Sequence, residues 1–256
     1  MNKTLLAVAT LALTGPMAAH ADTILGVYAS AGKWNQDYSG QIGTAGGDVI
    51  DLQDDLGLDD DSGQTMSIAL EHPVPFLPNV RLSSTKLEND ATNTLTRSVE
   101  YEDQIFSINA DVHTELDLSH KDYLLYYEIL DNWVTVDLGL NIRKFDGKIS
   151  LTDVDNTANH GEATLEGNLP MLYGRLEFQL PLTGLSLGAE MMGISAGDAT
   201  IKDIKLRAAY ESSIGIGVEV GQRTFTIDYE PDDPDADEVI ADIEFKGSYA
   251  AVTYHF

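Results

Sequence analysis

The chain has 256 residues and a formal net charge of −27, from 42 acidic and 15 basic residues. This acidic excess argues against nucleic-acid binding, because phosphate contacts need lysine and arginine. The chain has no cysteine, which excludes disulfides, thiolate metal ligands and cysteine nucleophiles. The mean hydropathy of −0.13 excludes a bundle of transmembrane helices. It does not exclude a membrane β-barrel, whose alternating strands look polar on average.

The first 21 residues have the three parts of a secretory signal peptide. Lys3 gives a positive start, Leu5–Leu13 is a short apolar run, and Ala19-His20-Ala21 is an A-x-A cleavage site. We therefore expect residues 1–21 to be removed and residues 22–256 to form the mature domain. Export without any cysteine favours a Gram-negative envelope, and no later stretch is long and apolar enough for a membrane helix.

The mature chain alternates between apolar and polar residues, which indicates strands with one apolar face. In Val134–Ile142 the even positions are Val, Leu or Ile, and the odd positions are Thr, Asp, Gly or Asn. The pattern recurs near 172–180, 185–191, 204–211 and 214–221. A soluble β-sandwich would also alternate, but charges of both signs in mid-strand, with glycines between them, favour a narrow barrel.

We predict an all-β fold, a transmembrane antiparallel up-and-down barrel of ten strands, with twelve or eight as alternatives. Short turns near 73–79, 131–132, 182–184 and 211–213 would lie on the periplasmic side together with both chain ends. The expected segments are strand one at about 24–34, an acidic loop at 35–63, strand two at 64–72, one long hairpin with arms 80–101 and 104–130, strand five at 133–145, a polar loop at 146–161, strands six to eight between 162 and 211, strand nine at 214–229, an acidic loop at 230–238 and strand ten at 239–256.

The long hairpin is expected to turn at Glu102-Asp103 and to project well beyond the membrane. Separate short strands in this region would contradict that hypothesis.

The end of the chain carries an aromatic pattern. Val252, Tyr254 and Phe256 share one strand face, and the chain stops at Phe256. This looks like the C-terminal β-signal of bacterial outer-membrane barrels, which the barrel-assembly machinery reads. One difference is Ala251, which stands where many such signals have glycine.

Three internal motifs add a family resemblance. They are Asp55-Leu56-Gly57-Leu58, the segment EHPVPFLPNVRL at 71–82, and YYEILD at 126–131. Together they resemble an uncharacterised family of proteobacterial outer-membrane β-barrel proteins over the whole mature chain. The resemblance implies the barrel fold and the outer membrane, and it implies no catalytic residues.

Two loops concentrate carboxylates, which favour hard cations such as Ca²⁺ or Mg²⁺. Neither has the glycine and distal glutamate of an EF-hand, so a solvated anionic surface is the simpler interpretation. We expect no tightly bound cofactor. The weak metal-ligand candidates are Asp59, Asp60, Asp61, Asp232, Asp233, Asp235 and Asp237.

Apolar residues interrupt the first acidic loop at Val49–Leu58. This segment is predicted to form a short amphipathic turn of helix that either folds into the barrel mouth or caps its rim.

Charged residues on the polar strand faces are candidates for the barrel lumen. They either pair with one another to hold the interior together or line a polar permeation path. The candidates are Arg81, Glu128, Asp137, Arg143, Arg175, Glu177, Glu190, Lys205, Arg207, Glu211 and Glu219.

A catalytic site has little support in the sequence. Asp111-Val112-His113 has the D-x-H spacing of omptin-type proteases, but that match is short and common. No serine lies in a convincing arrangement with an oriented base.

Three functions therefore remain open. The first is a narrow channel for small polar solutes or cations. The second is a closed structural barrel whose acidic outer loops bind divalent cations or contact lipopolysaccharide, and the last is a surface hydrolase. The expected partners are outer-membrane lipid, lipopolysaccharide and the assembly machinery, around a monomer that does not bind nucleic acid.

Overall fold

The structure is a computed structural model that describes residues 25–44, 48–229 and 239–256. The expected signal peptide and the acidic loop at 230–238 lie outside these ranges. Among the described residues, no helix is long and apolar enough to cross a membrane.

Ten strands form a closed antiparallel barrel in which neighbours in sequence are neighbours in space, and β10 pairs with β11 to close the ring. The predicted all-β barrel of ten strands is therefore confirmed. The barrel strands are β1 (Gly26–Thr44), β3 (Asp61–Glu71), β4 (Asn79–Thr85), β9 (His120–Asp131), β10 (Val134–Asp153), β11 (His160–Leu180), β12 (Leu185–Ala196), β13 (Ala199–Glu211), β14 (Ile216–Tyr229) and β15 (Val239–His255). The additional strands are β2 (Val49–Asp51), β5 (Glu88–Thr94), β6 (Val99–Tyr101), β7 (Gln104–Phe106) and β8 (Asp111–Asp117).

The register around the ring is staggered. Ser39 of β1 pairs with Glu244 of β15. When the paired residue is followed from each strand to the next around the ring, the path returns to β1 at Val27. The ring therefore closes with a shift of twelve residues along β1. This stagger tilts the ten strands by roughly 40° to the barrel axis. A barrel of this size has an interior that side chains can fill.

An apolar band surrounds the outside of the barrel. On β10, Leu138 and Leu140 are 54% and 63% exposed, whereas the inward Asn141 and Arg143 are completely buried. This is the reverse of a soluble protein, which buries its large apolar residues. The chain end completes the band, because β15 pairs with β1 and exposes Val252, Tyr254 and Phe256. Recognition of these residues by the assembly machinery stays a prediction.

Several predicted loops are too long. Strand β1 continues to Thr44 and β10 continues to Asp153, so the predicted loops at 35–63 and 146–161 are wrong in extent. The reason is that the alternation changes sign beyond the apolar band. There the polar residues face outward, and apolar ones such as Tyr38 and Phe145 face inward and are buried.

The long hairpin turns at Glu102-Asp103 as predicted, and both residues have positive φ angles. Its arms are broken at 86–87, 95–98, 107–110 and 118–119 into separate short strands, so the hypothesis of one long hairpin that projects well beyond the membrane is wrong. Strand β8 stays paired with the outer part of β10, and apolar residues on one side of the hairpin are buried in the core at the barrel mouth.

We predict that Gly63→Ala destabilises the barrel by about 1–3 kcal/mol, because a Cβ there would meet the Lys86 carbonyl oxygen and the Gln36 amide. Urea titration of the refolded protein measures the free energy of unfolding. Gly167→Ala is the matched control, since a Cβ at Gly167 meets nothing within 4 Å. Equal stability of the two variants would contradict this packing.

Candidate functional site: a charged lumen beneath an apolar lid

We call the end of the barrel with the short turns the lower end. The lumen nearer that end holds a first group of ion pairs around Glu190. Arg81 donates to both carboxylate oxygens of Glu190, at 2.7 and 3.0 Å. Lys205 approaches the same carboxylate at 3.5 Å, and the Tyr173 hydroxyl donates to it at 3.3 Å. Side chains from four strands therefore meet at one buried carboxylate.

A second group connects strands β10, β11, β13 and β14. Arg175 donates to Glu177 at 2.9 Å and lies 3.5 Å from Asp137. Arg207 contacts Glu177 at 3.2 Å and Glu219 at 2.9 Å. The two groups form the lower ionic layer, which we define as Arg81, Asp137, Arg175, Glu177, Glu190, Lys205, Arg207 and Glu219.

The other lumenal candidates lie near the end of the barrel with the short turns. Glu128 accepts a hydrogen bond from Asn79 at 3.2 Å, and Glu211 lies 3.3 Å from the His255 imidazole. Neither residue belongs to the lower ionic layer.

A more deeply buried set of charges lies above that layer. Arg143 donates to Asp122 at 2.8 and 3.1 Å and to Asp203 at 2.7 Å. Arg223 donates to the same Asp203 at 2.9 and 2.6 Å and lies over the Trp34 ring at 4.5 Å. We call Asp122, Arg143, Asp203 and Arg223 the upper ionic layer.

Sequence reasoning identified only Arg143 of the upper ionic layer. Asp203 and Arg223 lie on the same strand faces as the predicted Lys205 and Glu219, just beyond the apolar stretches that defined those strands. Extending the alternation past the apolar residues would have found them. Asp122 shares the polar face of β9 with the predicted Glu128.

Aromatic rings cover the upper ionic layer. Phe225 stacks with Phe245 at 5.8 Å and with Phe145 at 6.5 Å between ring centroids. Tyr38 meets Phe245 edge-on at 5.1 Å. All four side chains are buried, so an apolar layer follows the charged ones along the axis.

Two segments cover these rings at the barrel mouth. We define the lid as residues 48–60 together with the broken hairpin at 86–119. Ile50, Leu52, Leu56 and Leu58 are at most 1% exposed and join the same apolar cluster as the hairpin leucines. Residues 49–58 therefore fold into the mouth, which was one of the two predicted arrangements, as a short strand followed by a single turn.

Polar contacts fix the first lid segment to the second. Asn93 donates to the carbonyl oxygens of Asp54 and Asp55 at 3.0 Å. Arg97 donates to the Asp55 carboxylate at 2.7 Å, and this hydrogen bond raises the pKa of the Arg97 guanidinium. Burial in the same lid raises the pKa of Tyr101.

The remaining candidates do not converge on a reactive centre. In the described ranges no three His, Asp or Glu side chains are placed to hold a metal ion, and Asp59, Asp60 and Asp61 are exposed. Asp232, Asp233, Asp235 and Asp237 lie outside the described residues. Asp111 and His113 lie on β8, where they hydrogen-bond Thr94 and Thr92 of the neighbouring strand.

Comparisons with known proteins give only distant matches. No protein-family model and no curated protein matches the chain. Among solved structures, it is similar to the toluene transporter TodX of Pseudomonas putida, with 9% identity over 90% of this chain and 89% of that chain and a TM-score of 0.32. It is also similar to a TodX deltaS2S3 mutant described as a monoaromatic hydrocarbon channel, with 10% identity over 92% and 91% of the two chains and a TM-score of 0.31.

We predict that Asp203→Ala destabilises the barrel by about 3–5 kcal/mol, because it leaves Arg143 and Arg223 short of a buried counter-charge. Urea titration is the measurement. Glu115→Ala is the control, since its pair with Lys148 is exposed and such pairs contribute about 1 kcal/mol or less. Similar losses in the two variants would show that the upper ionic layer is not a buried network.

We expect Arg97→Gln to loosen the first lid segment without unfolding the barrel. Amide hydrogen exchange should become faster at 49–58 and stay unchanged in β12 and β13. Lys148→Gln removes a cation of β10 that pairs with Glu115 of the lid, and it should leave exchange at 49–58 unchanged. Unchanged exchange in Arg97→Gln would mean that this residue does not hold the segment.

Proposed function

We propose that the protein is an integral outer-membrane barrel that is closed in its resting state. The outward apolar residues of β10 lie in a segment of nine residues, from Val134 to Ile142. A tilted strand needs about 9–11 residues to cross a membrane. The expected signal peptide, the C-terminal aromatic pattern and the resemblance to an uncharacterised outer-membrane family support the same location. The lid lies at the end of the barrel away from the short turns. We assign the lid end to the outer side of the membrane.

The observation that carries the closed state is the order of layers along the axis. The charges of the two ionic layers are paired with one another, whereas a water-filled pore would leave them hydrated. The aromatic layer and the lid then add apolar packing above them. Paired charges and buried rings both oppose the passage of hydrated solutes.

A closed barrel of this kind would act through its outer surface. The lid presents exposed Asp59, Asp60 and Asp61, which would bind divalent cations loosely and link the protein to neighbouring lipopolysaccharide. We include in the proposal a monomeric state and insertion by the barrel-assembly machinery. A catalytic role is not proposed, because Asp111 and His113 bond to threonines within the lid sheet.

The lid also favours a second candidate, a narrow gated channel. Residues 48–60 are fixed partly by side-chain contacts from Asn93 and Arg97, which could break without disturbing the barrel ladder. In an opened state, the charges of the ionic layers would determine which ions pass.

We predict that the refolded mature protein gives no discrete conductance steps in a planar bilayer. A variant lacking 49–58 should also stay silent, because both ionic layers remain in place below the lid. Steps in the wild type would refute the closed barrel. Steps in the deletion variant alone would establish the gated channel. An absence of conductance supports the closed barrel only if the protein is shown to be folded by its heat-dependent electrophoretic mobility.

A further inference from the structure

Except for Lys205 of the lower ionic layer, the arginines and lysines of the barrel strands lie on opposite sides of the barrel wall. Five of the six arginines face the lumen, and Arg97 lies in the lid. On β1, β9, β10 and β13, the first outward residue beyond the apolar band is a lysine. On β15, the second outward residue beyond the band is a lysine. We define this lysine belt as Lys33, Lys121, Lys144, Lys202 and Lys246, all of which are exposed.

Among the described residues, no lysine of the belt lies within 4.0 Å of a carboxylate oxygen. In the described part of the chain, the lysines that pair with carboxylates are Lys86, Lys148 and Lys205, and none of them belongs to the belt. Lys121 and Lys144 are even direct partners across β9 and β10. Like charges placed opposite one another are unfavourable, so an external anion would stabilise this arrangement.

A groove runs down the outer wall from one part of the belt. It crosses β12, β13, β14, β15 and β1 and has a volume of about 720 Å³. Its polar end is formed by Lys33, Asn35, Gln222 and Ser248, and Asn35 donates to Ser248 at 3.3 Å. Below this end the outward lining is apolar and includes Leu187, Leu206, Ala208, Val220 and Ala250.

We propose that this groove binds an anionic, phosphate-bearing lipid of the leaflet on the lid side. The phosphate would contact Lys33, the cation at the polar end of the groove, and an acyl chain would lie over Leu206, Ala208 and Val220. The polarity along the groove has the same order as that of such a lipid, with a cation at the headgroup level and an apolar channel beneath. Each lysine close to an anionic membrane surface strengthens attachment.

The charge of the rest of the chain makes this attraction local. With a net charge of −27, the protein as a whole repels anionic lipid. On β1, the carboxylate Asp37 lies two outward positions beyond Lys33 on the lid side and directly opposite Lys246. A phosphate is therefore favoured at the level of Lys33 and disfavoured above it. This inference rests on the proposed membrane location and is independent of whether the barrel conducts.

The test measures lipid retention by native mass spectrometry of the refolded full mature chain in micelles. The added lipid is either lipid A, which carries two phosphates, or phosphatidylcholine. Wild type should retain lipid A in preference to phosphatidylcholine. The variant Lys33→Gln should bind lipid A about fivefold more weakly. Ala208→Phe, which fills the groove and leaves every charge in place, should also weaken retention.

Two controls separate a groove from general attraction. Lys86→Gln/Lys148→Gln removes two lysines outside the belt, and Ala29→Phe enlarges an outward residue of the band that does not line the groove. Both should retain lipid A as the wild type does. Equal losses in the controls, or no preference in the wild type, would overturn the proposal.

Two further measurements identify the source of the bound phosphate group and the way in which it is bound. Inorganic phosphate at the same concentration should not displace lipid A, since it lacks the acyl chain. Retention should persist in EDTA, whereas a site built on cation bridges would lose the lipid. Displacement by phosphate or loss in EDTA would each contradict the lysine-based groove. Insertion into lipid vesicles, followed by electrophoretic mobility, tests the membrane location separately, so its failure is distinguishable from failure of the groove.

Discussion

The rest of the structure depends on the pairing of buried guanidinium and carboxylate groups inside the barrel. Removing a charge from water costs several kcal/mol unless a partner and hydrogen bonds replace the hydration. Asp203 meets that requirement for both Arg143 and Arg223, and Glu190 does so for Arg81 and Lys205. Because Arg81–Glu190 and Arg143–Asp203 join strands that are not neighbours in the ring, these two pairs tie the barrel wall together across its lumen.

The second constraint is the change in surroundings along each strand. Within the apolar band the outside is apolar and the inside is charged, and beyond the band the two faces exchange character. Tyr38, Phe145 and Phe225 turn inward there and create an apolar surface at the mouth. Residues 48–60 and the broken hairpin cover that surface and form the lid. The sorting of arginine inside and lysine outside follows from the same geometry, since arginine can bond two carboxylates at once.

Much of the barrel could be predicted from the sequence, because one strong period specifies both strand faces. Alternation in Val134–Ile142 and its equivalents predicted ten strands and the inward direction of charges such as Arg175. It failed where the period continues with the faces exchanged, so the outer parts of β1 and β10 were assigned to loops. Extending the alternation would have assigned Asp122 and Asp203 to the inward face, but a single carboxylate on a strand gives no local signal of its distant partner. The lid was only partly predictable, since its apolar residues pack against segments far away in sequence.

The most direct test of the closed lumen is cysteine accessibility along β12, in a chain that has no native cysteine. Ser186, Met192 and Ala196 share its inward face, near the short-turn end, beside Arg143 of the upper ionic layer and at the lid end respectively. Each is replaced singly by cysteine in vesicle-embedded protein, and a membrane-impermeant thiol reagent is added to either side. The account predicts labelling of Ser186→Cys from one side, of Ala196→Cys from the other, and of Met192→Cys from neither. Rapid labelling of Met192→Cys would reveal a water path to the centre and contradict the closed barrel.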